Sequence, residues 1–205
     1  MKAYTSNNIR NIAVLGHGGK GKTTLCEAML YIAGASDRLG RVADGNTVLD
    51  FDSEEKRRKS SVSSAIAALE WDNTKLNIID APGLFDFEGG AAEAVRAAEA
   101  VLIVTSAGSG VDVGTEKAFR AAEKKGAAKF FAVTKTDSDH RNFYKTFDAL
   151  KEVYGNKLCP TIIPYMEGNI TKCYVNLMTG MAFSYDENGK ATKVPVPEDS
   201  VIEEM

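Results

Sequence analysis

The eight residues Gly16-His17-Gly18-Gly19-Lys20-Gly21-Lys22-Thr23 have the spacing G-x-x-x-x-G-K-T, which is the spacing of a phosphate-binding loop. Its glycines let successive backbone N–H groups turn inward around a phosphate. A helix beginning near Lys22 adds the positive end of its dipole. The Lys22 ammonium is then placed for the outer phosphates and the Thr23 hydroxyl for Mg²⁺, with Thr24 closing the nucleotide-binding set. A glycine-rich turn that merely contains Lys-Thr would carry the same letters. The apolar run Ile12–Leu15 before the loop, and Leu25, Met29, Leu30 and Ile32 at helical spacing after it, supply the strand–loop–helix context that separates the two readings.

Two further stretches carry chemistry of the same kind. Asp80-Ala81-Pro82-Gly83 follows the apolar run Leu76–Ile79. An aspartate at a strand end beside a phosphate loop can hold Mg²⁺ through a water, and Gly83 can offer a backbone N–H to a γ-phosphate. The same letters are ordinary turn chemistry, so the assignment depends on the neighbouring loop. Thr134-Lys135-Thr136-Asp137 follows Lys129–Val133. A carboxylate there can accept from both N1–H and the exocyclic N2–H₂ of guanine, an edge adenine lacks. The Lys135 stem can lie along the base. Taken alone this is a solvated loop; its place in chain order gives it meaning.

These loops need strands to carry them. The chain has 205 residues, 44% apolar and 26% charged, enough for one α/β domain with an addition. A formal net charge of −3 argues against bulk attraction to nucleic acid, and no sequence-specific nucleic-acid binding is expected. No apolar run reaches the roughly 18 residues of a membrane span. The polar N-terminus is no signal core. Cys26, Cys159 and Cys173 lack metal-ligand spacing and read as reduced thiols of a cytoplasmic protein. Strands are predicted over 11–15, 61–71, 76–79, 100–105 and 129–133, and helices over 22–33, 88–98, 113–125 and 139–154. Residues 37–59 read as one long polar loop. This alternation predicts an α/β fold, a mainly parallel sheet with helices on both faces, over 1–155. From 156 to 205 four short runs (160–165, 173–177, 181–185, 193–196), with a hairpin turn at Asn188-Gly189, predict a small β-rich addition. The tail from Glu198 begins like a helix.

Three motifs in this order, each at a strand end, resemble the N-terminal GTPase domain of elongation factor G and its relatives, the translational GTPases. Gly16–Leu25, Asp80–Phe87, Ser106–Glu116 and Thr134–Asp137 carry the resemblance, and Pro160–Pro197 resembles the insertion within that family's GTPase domain. The resemblance implies a P-loop GTPase domain that uses GTP, GDP and Mg²⁺, with the ribosome as partner through domains absent from this chain. It implies that Gly16–Thr23 cradle the phosphates, that Gly83 senses the γ-phosphate, and that Thr134, Lys135 and Asp137 take the base. Thr23 would ligate Mg²⁺ and Asp80 would act indirectly behind it.

The chain also departs from that pattern. Arg58-Lys59-Ser60-Ser61 stands where the family has R-G-I-T, so Ser61 is either an Mg²⁺ ligand or only the start of a strand. Thr134 replaces an asparagine. Leu84 replaces the histidine that positions the attacking water, and an aliphatic side chain can neither orient nor polarise water. No catalytic residue is therefore assigned. His17, in the loop, is read as structural. The family's last base-contacting Ser-Ala lies after the insertion, and the chain reads as a truncated piece. Weak nucleotide affinity, disorder across Asp37–Ser61 and very low turnover are the expectations. A nucleotide-dependent binding switch with negligible hydrolysis is the alternative. An ATPase of the K-G-G-x-G-K-T type is disfavoured by His17 in place of its first lysine.

Overall fold

The computed structural model describes residues 2–136, 143–168, 170–186 and 189–198. The chain divides between Thr134 and Lys135 into two compact units. The first holds strands β1 (Ile9–Leu15), β2 (Ala65–Trp71), β3 (Thr74–Asp80), β4 (Ala100–Ser106) and β5 (Ala128–Thr134). Its helices are α1 (Lys22–Ile32), α2 (Ser53–Arg58), α3 (Glu88–Ala97) and α4 (Val113–Lys125). The sheet order is β2-β3-β1-β4-β5. β1 pairs in parallel with β3 and β4, β4 in parallel with β5, and only β2 runs antiparallel, against β3.

Alternation along the strands sends side chains to opposite faces. Val14, Ile78 and Val104 pack with Cys26, Leu30 and Leu49 on the α1 side. Leu15, Ile79 and Ile103 are also buried and face the other way, where α3 packs on β1 and α4 on β4. Four parallel strands place their carboxyl ends along one edge, so the loops after Leu15, Asp80 and Ser106 open together beside the end of β5 at Thr134. β1 is the point where the chain first builds toward β3 and then crosses to β4, the position at which open α/β sheets form a binding crevice.

Between α1 and β2 the structure departs from the sequence-based expectation. Residues 37–59 are not a featureless loop, nor is 37–61 disordered. The segment holds a short 3-10 turn at Val42–Asp44 and the helix α2, which begins in a capping box formed by Asp52 and Glu55. Buried carboxylates organise it. Glu27 Oε1 accepts from the N–H groups of Val48 and Leu49 at 2.8 and 3.0 Å. Glu55 Oε1 accepts from Val62 and Ser63 at 2.9 and 3.0 Å, and Glu55 Oε2 from Asp52 at 3.2 Å. These side chains satisfy backbone donors that no ladder supplies. For the same reason β2 begins at Ala65 rather than at Ser61: Val62 and Ser63 donate to Glu55 instead of to a strand. The β2–β3 hairpin turns on Asp72 and Asn73, both at positive φ, as a two-residue turn requires.

The second unit holds α5 (Phe143–Tyr154) and an antiparallel sheet of β6 (Ile162–Glu167), β7 (Ile170–Asn176), β8 (Met181–Tyr185) and β9 (Ala191–Val194), in chain order. Ile163, Cys173, Val175 and Ala182 form its core, with Phe143, Tyr165, Leu177 and Val194 packed around them. Gly189 has φ 77, as the predicted β8–β9 turn demands; its partner Asn188 lies outside the described residues. So do the start of the predicted helix 139–154 and the tail after Glu198. Cys26 and Cys173 are buried and Cys159 is exposed.

Candidate functional site

β1 delivers the loop 16–21 to the open edge of the sheet. Gly16 has φ 140, and a Cβ there would lie 2.2 Å from the Val104 carbonyl oxygen, so only glycine fits. Gly21, at φ 87, begins α1 without a side-chain cap. The first-turn N–H groups of α1 are thus left for an anion. Lys22 is buried, and its Nζ donates to the His17 carbonyl at 3.1 Å. Burial lowers the Lys22 pKa, and the nearby Asp80 carboxylate works against that shift.

The D-A-P-G turn lies directly on this loop. A Cβ on Gly83 would fall 2.2 Å from Lys22 Nζ and 2.8 Å from both the Gly16 oxygen and the Gly18 nitrogen. Leu84 reaches over the loop, where its Cδ2 would sit 3.0 Å from a Cβ on Gly18. The His17 ring lies 5.5 Å from that of Phe85, and Gly114 in the first turn of α4 backs it closely. His17 therefore packs as part of the loop's framework.

Beside Lys22 runs a chain of oxygen atoms. Thr23 Oγ1 donates to Asp80 Oδ2 at 2.6 Å, and Ser61 Oγ donates to Asp50 Oδ1 at 2.7 Å. The two hydroxyls are themselves 3.1 Å apart. Each hydroxyl has a single proton, so two protons serve three close oxygen pairs. Asp80 Oδ1 is buried with no hydrogen-bond partner among the described residues. Burial raises the Asp80 carboxyl to about 6, with the Asp50 and Glu27 charges adding and the Thr23 hydroxyl and Lys22 opposing. Burial also raises Asp50. The cluster is short of positive charge and built from hard oxygens, which is the donor set Mg²⁺ takes.

Of the residues singled out from sequence, the fold brings Gly16–Thr23, Asp80, Gly83, Leu84 and Ser61 to one place. Thr24 follows them in the first turn of α1. Thr134 joins them by another route: its hydroxyl lies 2.7 Å from the Lys20 carbonyl and 3.1 Å from that of Thr105, donating toward both. That hydroxyl is turned to the phosphate loop. Lys135 takes a left-handed backbone, φ 56. Asp137 and His140 lie outside the described residues. Asp50 was missed. The one signal for it was its position between Leu49 and Phe51, apolar residues inside a polar stretch.

A parallel sheet with a glycine loop after its first strand, a buried lysine and a hydroxyl–carboxylate cluster define a P-loop nucleotide-binding domain. The chain belongs to the Elongation factor Tu GTP binding domain family, which it matches over residues 7–200. It is thus a guanine-nucleotide-binding domain of the translational GTPase kind. It is 33% identical over 192 residues to an elongation factor G-like protein of Mycobacterium tuberculosis, covering 94% of this chain and 26% of that protein. It is 30% identical to elongation factor G of Mycoplasma genitalium, covering 95% of this chain and 28% of that one. A crystal structure of a Thermus thermophilus protein superimposes with a TM-score of 0.87 and 37% identity, over 93% of this chain and 28% of that chain. The chain thus spans about a quarter of the length of the curated relatives it matches. Among the described residues no helix is long and apolar enough to cross a membrane.

Proposed function

We propose that this chain is the nucleotide-binding part of an elongation-factor-G-like factor that binds GTP and GDP with Mg²⁺, hydrolyses GTP slowly, and works in the cytoplasm at the ribosome through further domains. The observation that supports this best is the oxygen cluster of Thr23, Ser61, Asp50 and Asp80 beside the buried Lys22.

In this reading the N–H groups of residues 16–24 and the Lys22 ammonium hold the phosphates. Thr23 and Ser61 hold Mg²⁺, with Asp80 and Asp50 behind them. Gly83 offers its N–H to the γ-phosphate, and Thr134, Lys135 and Asp137 form the guanine side. When bound, Mg²⁺ supplies charge neutralisation at the outer phosphate oxygens. The nucleotide work belongs to residues 1–155, and 156–205 form the family's insertion. Leu84 occupies the place from which a side chain could orient water. Lys22 and the loop N–H groups still stabilise developing charge, so hydrolysis is slow rather than lost. The packing of Leu84 over Gly18 also favours a second reading, a binding switch with negligible hydrolysis. Single-turnover assays with and without ribosomes separate the two.

Calorimetry of the chain with Mg²⁺ and either GDP or ADP tests the core of the proposal. GDP should bind, and ADP should bind at least about a hundredfold more weakly, because a carboxylate built for the guanine edge would be left unpaired. Lys22→Ala should abolish binding. Equal affinities for the two nucleotides would overturn the reading.

A further inference from the structure

The loop holds a second lysine, Lys20, whose side chain reaches the segment that follows β4. Lys20 Nζ is 2.7 Å from Ser109 Oγ and 3.4 Å from Ser106 Oγ. It lies 3.1 Å from Asp112 Oδ2, and the two side chains are only 14% and 19% exposed. Ser106 ends β4, and Asp112 is the N-cap of α4, accepting from the Thr115 N–H at 2.8 Å and the Thr115 hydroxyl at 2.9 Å. Burial alone would raise the Asp112 carboxyl. The Thr115 hydrogen bonds and Lys20 outweigh that, and it lies below the ordinary aspartate value. The other end of the residue is held as well, since the Lys20 carbonyl accepts from Thr134.

The loop needs such an anchor. Gly16, Gly19 and Gly21 all sit at positive φ, and glycines lose the most backbone freedom when fixed. Lys20 stands between two of them. Its ammonium and its carbonyl tie that span to the loops at the ends of β4 and β5, the neighbouring strands on one side of β1.

We infer that Lys20 is a positioning residue: its ion pair with Asp112 pins the phosphate loop to the start of α4 and preorganises it for the diphosphate. The inference rests on the proposed nucleotide-binding function, but the pin itself can be read without nucleotide. Three variants of the full chain serve: Lys20→Met, Asp112→Asn, which keeps an N-cap and loses only the charge, and the double variant.

In nucleotide-free protein, hydrogen exchange of the amides of residues 16–21 should speed up about three- to tenfold in each single variant, and no further in the double, as coupled partners require. GDP release, followed with a fluorescent GDP analogue, should accelerate by the same order. The nucleotide-free thermal midpoint should stay near the parent's, which a merely structural loss would not allow. Parent-like exchange in Lys20→Met, or additive effects in the double variant, would overturn the inference. A parent chain that binds no GDP while the exchange results hold would overturn the nucleotide reading and leave the pin standing.

Discussion

Two hydroxyl protons serve four close oxygens at Thr23, Ser61, Asp50 and Asp80, two of them from buried carboxylates. Burial pushes the Asp80 carboxyl up to about 6 from an ordinary 3.8, with the Asp50 and Glu27 charges adding, so it holds a proton only below about pH 6. The sign follows from linkage. Between those two values the folded state binds a proton that the unfolded state has released. The ion-free chain should therefore lose stability as pH rises from about 4 to about 6, by up to about 3 kcal/mol. Asp80→Asn should flatten that slope. It should also remove the stabilisation that Mg²⁺ gives the parent near neutral pH. Denaturant midpoints across this window, with and without Mg²⁺, check both; a parent stability that climbs with pH would contradict the burial argument. Leu84 allows a second test. Leu84→His should raise single-turnover GTP hydrolysis at least about tenfold, toward the range of a positioned acid–base group. A parent that hydrolyses briskly and is unchanged by the substitution would show that position 84 has no part in the chemistry.

The segment between α1 and β2 shows how an element can depend on a few side chains. Glu55 accepts from three backbone N–H groups, those of Asp52, Val62 and Ser63. Glu55→Ala should cost about 2–4 kcal/mol, since those donors lose their partner in a largely dry setting. Limited proteolysis should then cut faster between α2 and β2. Glu54, one residue earlier, pairs with Arg57 and Arg58 on the surface. Glu54→Ala should leave the unfolding midpoint where it was. The capping-box spacing from Asp52 to Glu55 is the one local mark that separates these two glutamates. Both sit in a run of charges, and such a run reads as solvated. That box accounts for the bond from Asp52, whereas the bonds from Val62 and Ser63 are set by the fold. Asp50 left only the mark of its apolar neighbours, because its partner is the hydroxyl of Ser61, far along the chain. The glycine loop, Asp80-Ala81-Pro82-Gly83 and the apolar strands were legible, because short-range chemistry or an unbroken apolar run defines each of them.

Over the whole molecule, alternation of strand and helix was sufficient to predict the parallel sheet and the shared edge of its loops. Strand order was not available, since it depends on crossovers that leave no local mark; the reversed direction of β2 follows instead from the two-residue turn at Asp72-Asn73 that joins it to β3. The change of character in the second half was visible in its short apolar runs and Gly189. The core those runs build, around Ile163, had to be seen. Ile163 is fully buried, and Ile163→Ala should lower stability by about 2–4 kcal/mol through lost packing and the cavity left behind, measurable as a shift of the denaturant midpoint. The distribution of thiols has a practical consequence. Cys26 and Cys173 are shut away, and burial pushes both thiols up, while Cys159 stands exposed between α5 and β6. The native protein should therefore take up one maleimide and the unfolded protein three, as intact mass would show. The wild-type sequence thus offers a single attachment point for a dye or spin label on its smaller unit, with no cysteine needing to be added or removed.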